Sequence, residues 1–225
     1  QSAARREQAT ARQQPTLAAA ARGETDNARS SIGVIAMALG SGFAAILRDL
    51  RADLVWETSA APSVDEWITA FEQLPQHELI VLPNDRQAAA SARQAAARSS
   101  KRVEVLPAIA APQGIAALLA LNFQAGLEHN VQVMSEALRR VRVAALERLH
   151  AGAPAAPATA TPDIADELRR LGAERAEIAS FYYGQEVDPA RVETLVEQVR
   201  AAFPDLEIEI HAGGQPESEL IIALE

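Results

Sequence analysis

Residues able to do chemistry are few in this chain and widely spaced. The histidines are His77, His129, His150 and His211. None has a second His, a Cys or a paired carboxylate at the spacing that metal ligation needs. His129 follows Glu128 in a helical pattern and His211 alternates outward in a strand pattern, so surface hydrogen bonding accounts for both. No Ser-His-Asp order, nucleophile elbow or Asp cluster for Mg2+ and phosphates occurs. Catalytic and metal residues are therefore expected to be none, and the chain alone is expected not to be an enzyme.

Weaker signals sit at loops. Gly40-Ser41-Gly42 lies between a strand and a helix, where backbone N–H groups could hold an anion. It matches neither G-x-G-x-x-G nor the P-loop spacing, so tight turning is the competing reading. Asn84 and Asp85 follow a strand and open a helix; capping explains them, and a polar contact to a bound molecule is the alternative. Gln113 and Gly114 fall in the first turn of another helix, where Gly114 permits close approach of a backbone or ligand. Ser41, Gly42, Asn84, Asp85, Gln113 and Gly114 are thus the candidate ligand-binding residues. Near the end of the chain, Tyr182 and Tyr183 straddle a strand end, one pointing inward and the other outward. With the turn Gly213, Gly214, Gln215 and Pro216 they form a candidate partner interface, since aromatics often anchor one.

The elements that must position these residues follow from periodicity. "SIGVIAMAL", "ADLVWET", "HELIVLP" and "KRVEVLPAI" are short apolar runs that predict strands. Between them lie "FAAILRDL", "SVDEWITAFEQL", "DRQAAASARQAAARSS" and "PQGIAALLALNF", which predict helices. Ser63 and Glu66 form a capping box, and Pro112 sits where a helix tolerates proline. "GLEHNVQVMSEALRRVRVAALERLH" is predicted as one amphipathic helix reaching His150, its apolar stripe packed within the monomer or forming a dimer surface. Strands alternating with helices predict a parallel sheet covered on both faces. Its carboxyl edge gathers the loops Gly40–Gly42, Thr58–Ser63, Pro83–Asp85 and Ala111–Gly114, where ligands of open α/β sheets bind.

The expected organisation is a disordered or helical lead-in over 1–31, an α/β domain over 32–150, an Ala/Pro linker over 151–162 and a small α+β domain over 163–225. The last has β-α-β-β order: "AEIASFYYG", a helix started by Asp188-Pro189, "LEIEIHAG" and "SELIIALE". "GGQP" is read as a hairpin connection between the last two strands. So small a unit needs a partner surface for its helix-free face.

Bulk composition bounds the function classes. The chain has 225 residues, 48% of them hydrophobic, but only 4% aromatic. Such a core is alanine-rich and helix-rich. The net charge is −9. From Gly172 onward there are twelve acidic and three basic residues, so the closing module carries all of it. An acidic module beside a neutral one argues against nucleic acid and is compatible with a basic protein partner. Cysteine is absent, which removes disulfides and fits a reducing compartment. No apolar run approaches the roughly 20 residues of a membrane span. No signal peptide is visible, so a cytoplasmic location is expected. The chain opens on Gln1 without an initiator Met and is read as a fragment.

"GVIAMALGSGFAAILRDLRADLVWE", "ELIVLPND", "VEVLPAIAAPQGIAALLALNF" and "NVQVMSEAL" resemble the middle region of the dihydroxyacetone-kinase-like family, to which the kinase component of bacterial fatty acid kinase belongs. The tail "FYYGQEV…FPDLEIEIHAGGQPESELIIALE" is similar to that family's C-terminal domain. The resemblance covers about Ile32–Val143 and Ile178–Glu225. It implies a DegV-like fold in the middle region, a homodimer, and docking of a DegV-type fatty-acid-binding carrier. It also implies a kinase domain, in cis or in trans, that uses ATP and Mg2+. That domain has no counterpart in these residues, so no cofactor is expected here. "ETSAAPS", "LPND" and "AIA" depart from the family's loops, and the Ala/Pro linker replaces an expected β-rich stretch. The tail is intact. The resemblance therefore implies a docking or dimerisation role, with a free-standing binder of a fatty acid or other small acid as the alternative.

Overall fold

A computed structural model describes residues 31–58, 60–146, 164–216 and 218–225. Strand β1 (Ile32–Ala38) runs into α1 (Ser41–Asp49), β2 (Leu54–Glu57) into α2 (Val64–Gln73), and β3 (Glu78–Leu82) into α3 (Arg86–Ala96). Then come β4 (Arg102–Val105), α4 (Ala111–Leu119), α5 (Leu127–Arg140) and β5 (Arg142–Leu146). The chain closes with α6 (Ile164–Leu171), β6 (Ile178–Tyr183), α7 (Pro189–Ala202), β7 (Glu207–Ala212) and β8 (Leu220–Leu224).

The first sheet is parallel with order β2-β1-β3-β4. The buried runs of β1 and β3 alternate between two cores, as strands covered on both faces must. Ile35, Met37, Leu79 and Val81 pack with Trp67, Phe71 and the alanines of α3. Val34, Ala36, Ile80 and Leu82 pack with Phe43, Leu47, Ile115, Met134 and Leu138 from α1, α4 and α5. The predicted capping box forms: the Ser63 hydroxyl accepts from the Glu66 N–H, and the Glu66 carboxylate accepts from the Ser63 N–H at 2.8 Å.

The second sheet has order β5-β8-β6-β7. β6 and β7 are parallel, while β8 runs antiparallel to both β5 and β6. One face is covered by α6 and α7 through Leu168, Val192, Val196 and Val199 against Phe181, Ile222 and Leu224. The other face sends Tyr182 and Ala223 into the core of α1, α4 and α5. The surface needed by the module's second face is thus supplied by the chain itself.

Two expectations are corrected. The helix predicted to run to His150 ends at Arg140, and Arg142–Leu146 is a strand paired with β8. "RVRV" fits a helical stripe and a period-2 strand equally, and the free edge of β8 decides between them. Gly213–Pro216 is not a hairpin turn, because β7 and β8 are not neighbours. β7 ends at the same edge as β6, so the turn crosses the end of β6 to reach β8 on its other side. The lead-in, the Ala/Pro linker and His150 lie outside the described residues.

Candidate functional site

The first helix opens on Gly40 with no side-chain cap, leaving its amides free for another partner. That partner is the Gly213–Gln215 turn. The Phe43 N–H donates to the Gly213 carbonyl at 3.1 Å. A Cβ on Gly42 would lie 1.7 Å from the Ala212 carbonyl oxygen, so backbone meets backbone with no room for a side chain. Gly214 is left-handed at φ 69°, and a Cβ there would lie 3.2 Å from the N atoms of Ser41 and Gly42. Gly213 and Gly214 both donate to the Tyr183 carbonyl, at 2.9 and 3.0 Å. Gln215, 4% exposed, donates from Nε2 to the Tyr182 carbonyl at 2.8 Å. The Tyr182 ring lies between Phe43, at 4.9 Å, and His211, at 5.2 Å. Its burial raises the pKa of the Tyr182 hydroxyl.

The crevice between the carboxyl ends of β1 and β3 is where chain direction switches, the customary ligand position. Asn84 fills it. Its backbone is left-handed at φ 53° and its Nδ2 donates to the Met37 carbonyl at 2.8 Å. The amide occupies the space that a Cβ on Gly114 would need, 2.1 Å from Oδ1. Asp85 caps α3 by accepting from the Ala88 N–H at 2.7 Å. Gln113 accepts from the Ile109 N–H at 3.0 Å. Ser41, Gly42, Asn84, Asp85, Gln113 and Gly114 do share one edge; all but Ser41, which is exposed, have an internal role there. Of the candidate interface residues, Tyr182, Gly213 and Gln215 are buried, which leaves Pro216 exposed and Tyr183 and Gly214 half-buried.

An open space lies beside this clasp. A groove of about 590 Å³ runs past Ser41, Trp56, Glu57, Thr58, Glu66 and Pro216. Trp56 meets Trp67 edge-on at 5.3 Å. Its indole N–H is buried without a partner among the described residues. Glu57 holds a half-exposed contact to Arg48 at 3.4 Å. The capping box lowers the Glu66 pKa, its largest cause being the hydrogen bond from the Ser63 backbone. Trp56 and Glu57 were not singled out from sequence, and Glu66 only as half of a capping box. The available signal was positional: Trp56 and Glu57 end a strand at the carboxyl edge.

Among the described residues no group of three or more His, Cys, Asp or Glu could hold a metal ion. His211 meets Glu209 at 3.1 Å, and Glu209 in turn accepts from Ser180 at 3.5 Å. The carboxylate stands between hydroxyl and imidazole, which is not the order that activates a serine.

The family model for the C-terminal region of FakA-like fatty acid kinase proteins matches residues 33–149 and 158–225. The chain belongs to that family. Among curated relatives of this FakA-like chain, protein YloV of Bacillus subtilis (strain 168) is 26% identical over 227 residues, covering 90% of the chain and 40% of YloV. An uncharacterized Staphylococcus aureus (strain USA300) protein is 23% identical over 214 residues, covering 85% of the chain and 39% of that protein. The chain therefore spans about two fifths of these relatives' length. Of solved structures, a DegV family protein from Corynebacterium glutamicum superposes with a TM-score of 0.62 at 14% identity, covering 86% of this chain and 95% of that one. The dihydroxyacetone kinase of C. freundii gives 0.60 at 11% identity, with 88% and 48% covered. A Thermotoga maritima protein described as revealing a fatty acid binding function gives 0.58 at 10% identity, with 86% and 98% covered. The fold is DegV-like α/β.

Proposed function

We propose that the chain is a non-catalytic docking and dimerisation region of a fatty-acid-kinase-like protein. It positions a DegV-type, acyl-carrying protein for phosphorylation by a kinase domain in cis or in trans. ATP and Mg2+ belong to that kinase domain, and the location is cytoplasmic. The observation that carries this reading is the filling of the customary ligand crevice by Asn84 and of the α1 N-terminus by Gly213. In a fold that binds lipids in other proteins, Asn84 here ties β1 to the start of α3, and the Gly213 contact at α1 joins the two sheets. Among the described residues, Ile109, 45% exposed, precedes α4 at this edge, while Leu119, 67% exposed, and Phe123, 49% exposed, flank the turn after α4. Buried Asn130 ties that turn down, accepting from the Asn122 N–H at 2.8 Å and donating to the Asn122 and Ala125 carbonyls. Preordered apolar side chains suit a homodimer contact. Sedimentation velocity of the chain with a fatty-acid-loaded DegV-type protein tests the proposal. A faster-sedimenting complex at micromolar concentration is expected, and two independent boundaries would count against it.

A second reading, a free-standing binder of a fatty acid or other small acid, draws support from the open groove and from the fatty acid binding described for DegV-like neighbours. Oleate retained by the purified chain through gel filtration would favour it. The two carboxylates in the groove's lining, Glu57 and Glu66, weigh against an anionic head group there.

A further inference from the structure

We propose that the free edge of β7 takes up, as an added strand, a segment of a partner protein in which basic and apolar side chains alternate; the inference rests on the docking reading. β7 is an outer strand of the second sheet and pairs with β6 alone. Main-chain groups of successive strand residues point to opposite sides. The Glu207 N–H donates to the Glu177 carbonyl at 3.0 Å and the Gly213 N–H to the Tyr183 carbonyl at 2.9 Å, so the odd-numbered residues face β6. Ile208, Ile210 and Ala212 therefore turn their main-chain groups outward. The Ala212 carbonyl is closed off by α1 at Gly42. The main-chain groups of Ile208 and Ile210 have no hydrogen-bond partner among the described residues. Such an edge is open to strand addition, in which main-chain bonds supply affinity and alternate side chains supply specificity.

The side chains select the strand. On one face Glu207 and Glu209 are exposed, with His211 half-buried beside them. Glu209 meets His211 at 3.1 Å, whereas the Glu207 carboxylate has no partner among the described residues. On the other face Ile208 and Ile210 are half-buried against the core of α6 and α7. A basic side chain opposite Glu207 and apolar ones beside the isoleucines complete both faces. Two copies of this chain paired antiparallel through β7 would instead gather the Glu207 and Glu209 carboxylates of both on one face, and like charges there are destabilising. From Gly172 onward twelve acidic residues stand against three basic ones, which steers a basic segment toward this module.

Acetyl-Val-Arg-Val-Arg-Val-amide, titrated into the full chain and followed by NMR, tests this. Saturable binding at millimolar concentration is expected, with the amide resonances of Ile208 and Ile210 moving downfield as their N–H groups gain acceptors. Acetyl-Val-Glu-Val-Glu-Val-amide should bind about fivefold more weakly, and Glu207→Gln should weaken the arginine peptide about threefold, the size of one exposed ion pair. Main-chain pairing has a readout of its own. In antiparallel addition the residues opposite the isoleucines share their face and donate, so N-methylated valines abolish it; in parallel addition the flanking residues donate, so N-methylated arginines do. One of the two methylated peptides should therefore lose about tenfold in affinity while the other does not. Binding retained by both, an equal response to the glutamate peptide, or an Ile208 and Ile210 unmoved by the arginine peptide each overturns the proposal. Concentration-dependent shifts of those two amides in the chain alone also overturn it, by giving the edge to a second copy. Sedimentation with the fatty-acid-loaded DegV-type protein separates this from the parent reading. A complex that persists at saturating peptide keeps the docking function and removes β7 from it. Peptide binding at β7 without any complex keeps the preference of the edge and rejects the carrier as its source.

Discussion

The N–H of Phe43, in the first turn of α1, donates to the carbonyl of Gly213, in the last loop of the chain. A helix N-terminus at a sheet's carboxyl edge is a ready-made anion site, and here a backbone carbonyl takes the place an anion would hold. The same contact joins the two sheets, so occupying the site and uniting the halves are one event.

Gly42 should be intolerant of any side chain, because a Cβ would lie 1.7 Å from the Ala212 carbonyl oxygen. Gly42→Ala is expected to lower stability by about 1–3 kcal/mol, the range for overpacking a tight contact. Gly126→Ala is the control: its Cβ would meet only the Glu128 carboxylate at 3.9 Å, and a change below about 0.5 kcal/mol is expected. Urea unfolding of both variants checks the contrast.

Arg142 reaches from β5 to the end of α6, where its Nη1 donates to the Leu171 carbonyl at 2.8 Å and the Gly172 carbonyl at 3.1 Å. Cationic donors at a helix C-terminus satisfy orphan carbonyls and the dipole together. Arg142→Met keeps the apolar stem and removes the donors. A loss of about 1.5–3 kcal/mol is expected, with amide exchange of α6 accelerated more than that of α5.

Two carboxylates should tilt the pH dependence of stability in opposite directions. Burial pushes the Asp53 carboxyl above its ordinary 3.8, outweighing the N–H of Val34 that it accepts at 2.7 Å. The folded state therefore binds that proton more tightly than the unfolded state, and the stability it contributes is lost as pH rises through the folded pKa. Glu66 behaves oppositely. Its pKa is lowered from 4.5, so its contribution is present above that value and lost as pH falls through the folded pKa. Relative to wild type, Asp53→Asn should gain stability as pH rises through the folded Asp53 pKa, while the cost of Glu66→Gln should shrink as the medium is acidified below the ordinary Glu value. Urea midpoints measured across the acid range test both signs.

Leu119 and Phe123 should matter to self-association and not to folding, since both are exposed on a turn fixed by Asn130. The double change Leu119→Ser and Phe123→Ser is expected to shift the chain toward monomer in sedimentation equilibrium, with the urea midpoint nearly unchanged. An unaltered mass would contradict self-association through this turn.

Much of the first sheet could be read directly from sequence, for a physical reason. Buried parallel strands are short unbroken apolar runs, and β1 and β3 have no other plausible reading. Ser63, Asp85 and Asp188 cap helices as their positions require. β5 was illegible because "RVRVAAL" satisfies two periods, and what selects the strand is β8, far along the chain. The candidate ligand-binding residues do gather at one edge of the first sheet, but what each touches there was not readable. Whether Gly42 faces a ligand or Ala212 depends on how two sheets meet, which no local pattern encodes. Trp56 and Glu57 look like ordinary strand residues until the Gly213–Pro216 turn closes the wall opposite them.

Native mass spectrometry of an equimolar mixture of this chain and a fatty-acid-loaded DegV-type protein tests the central claim most directly. The docking reading predicts a complex of both polypeptides with the lipid still aboard. Separate polypeptides, with the fatty acid transferred to this chain, would contradict the account.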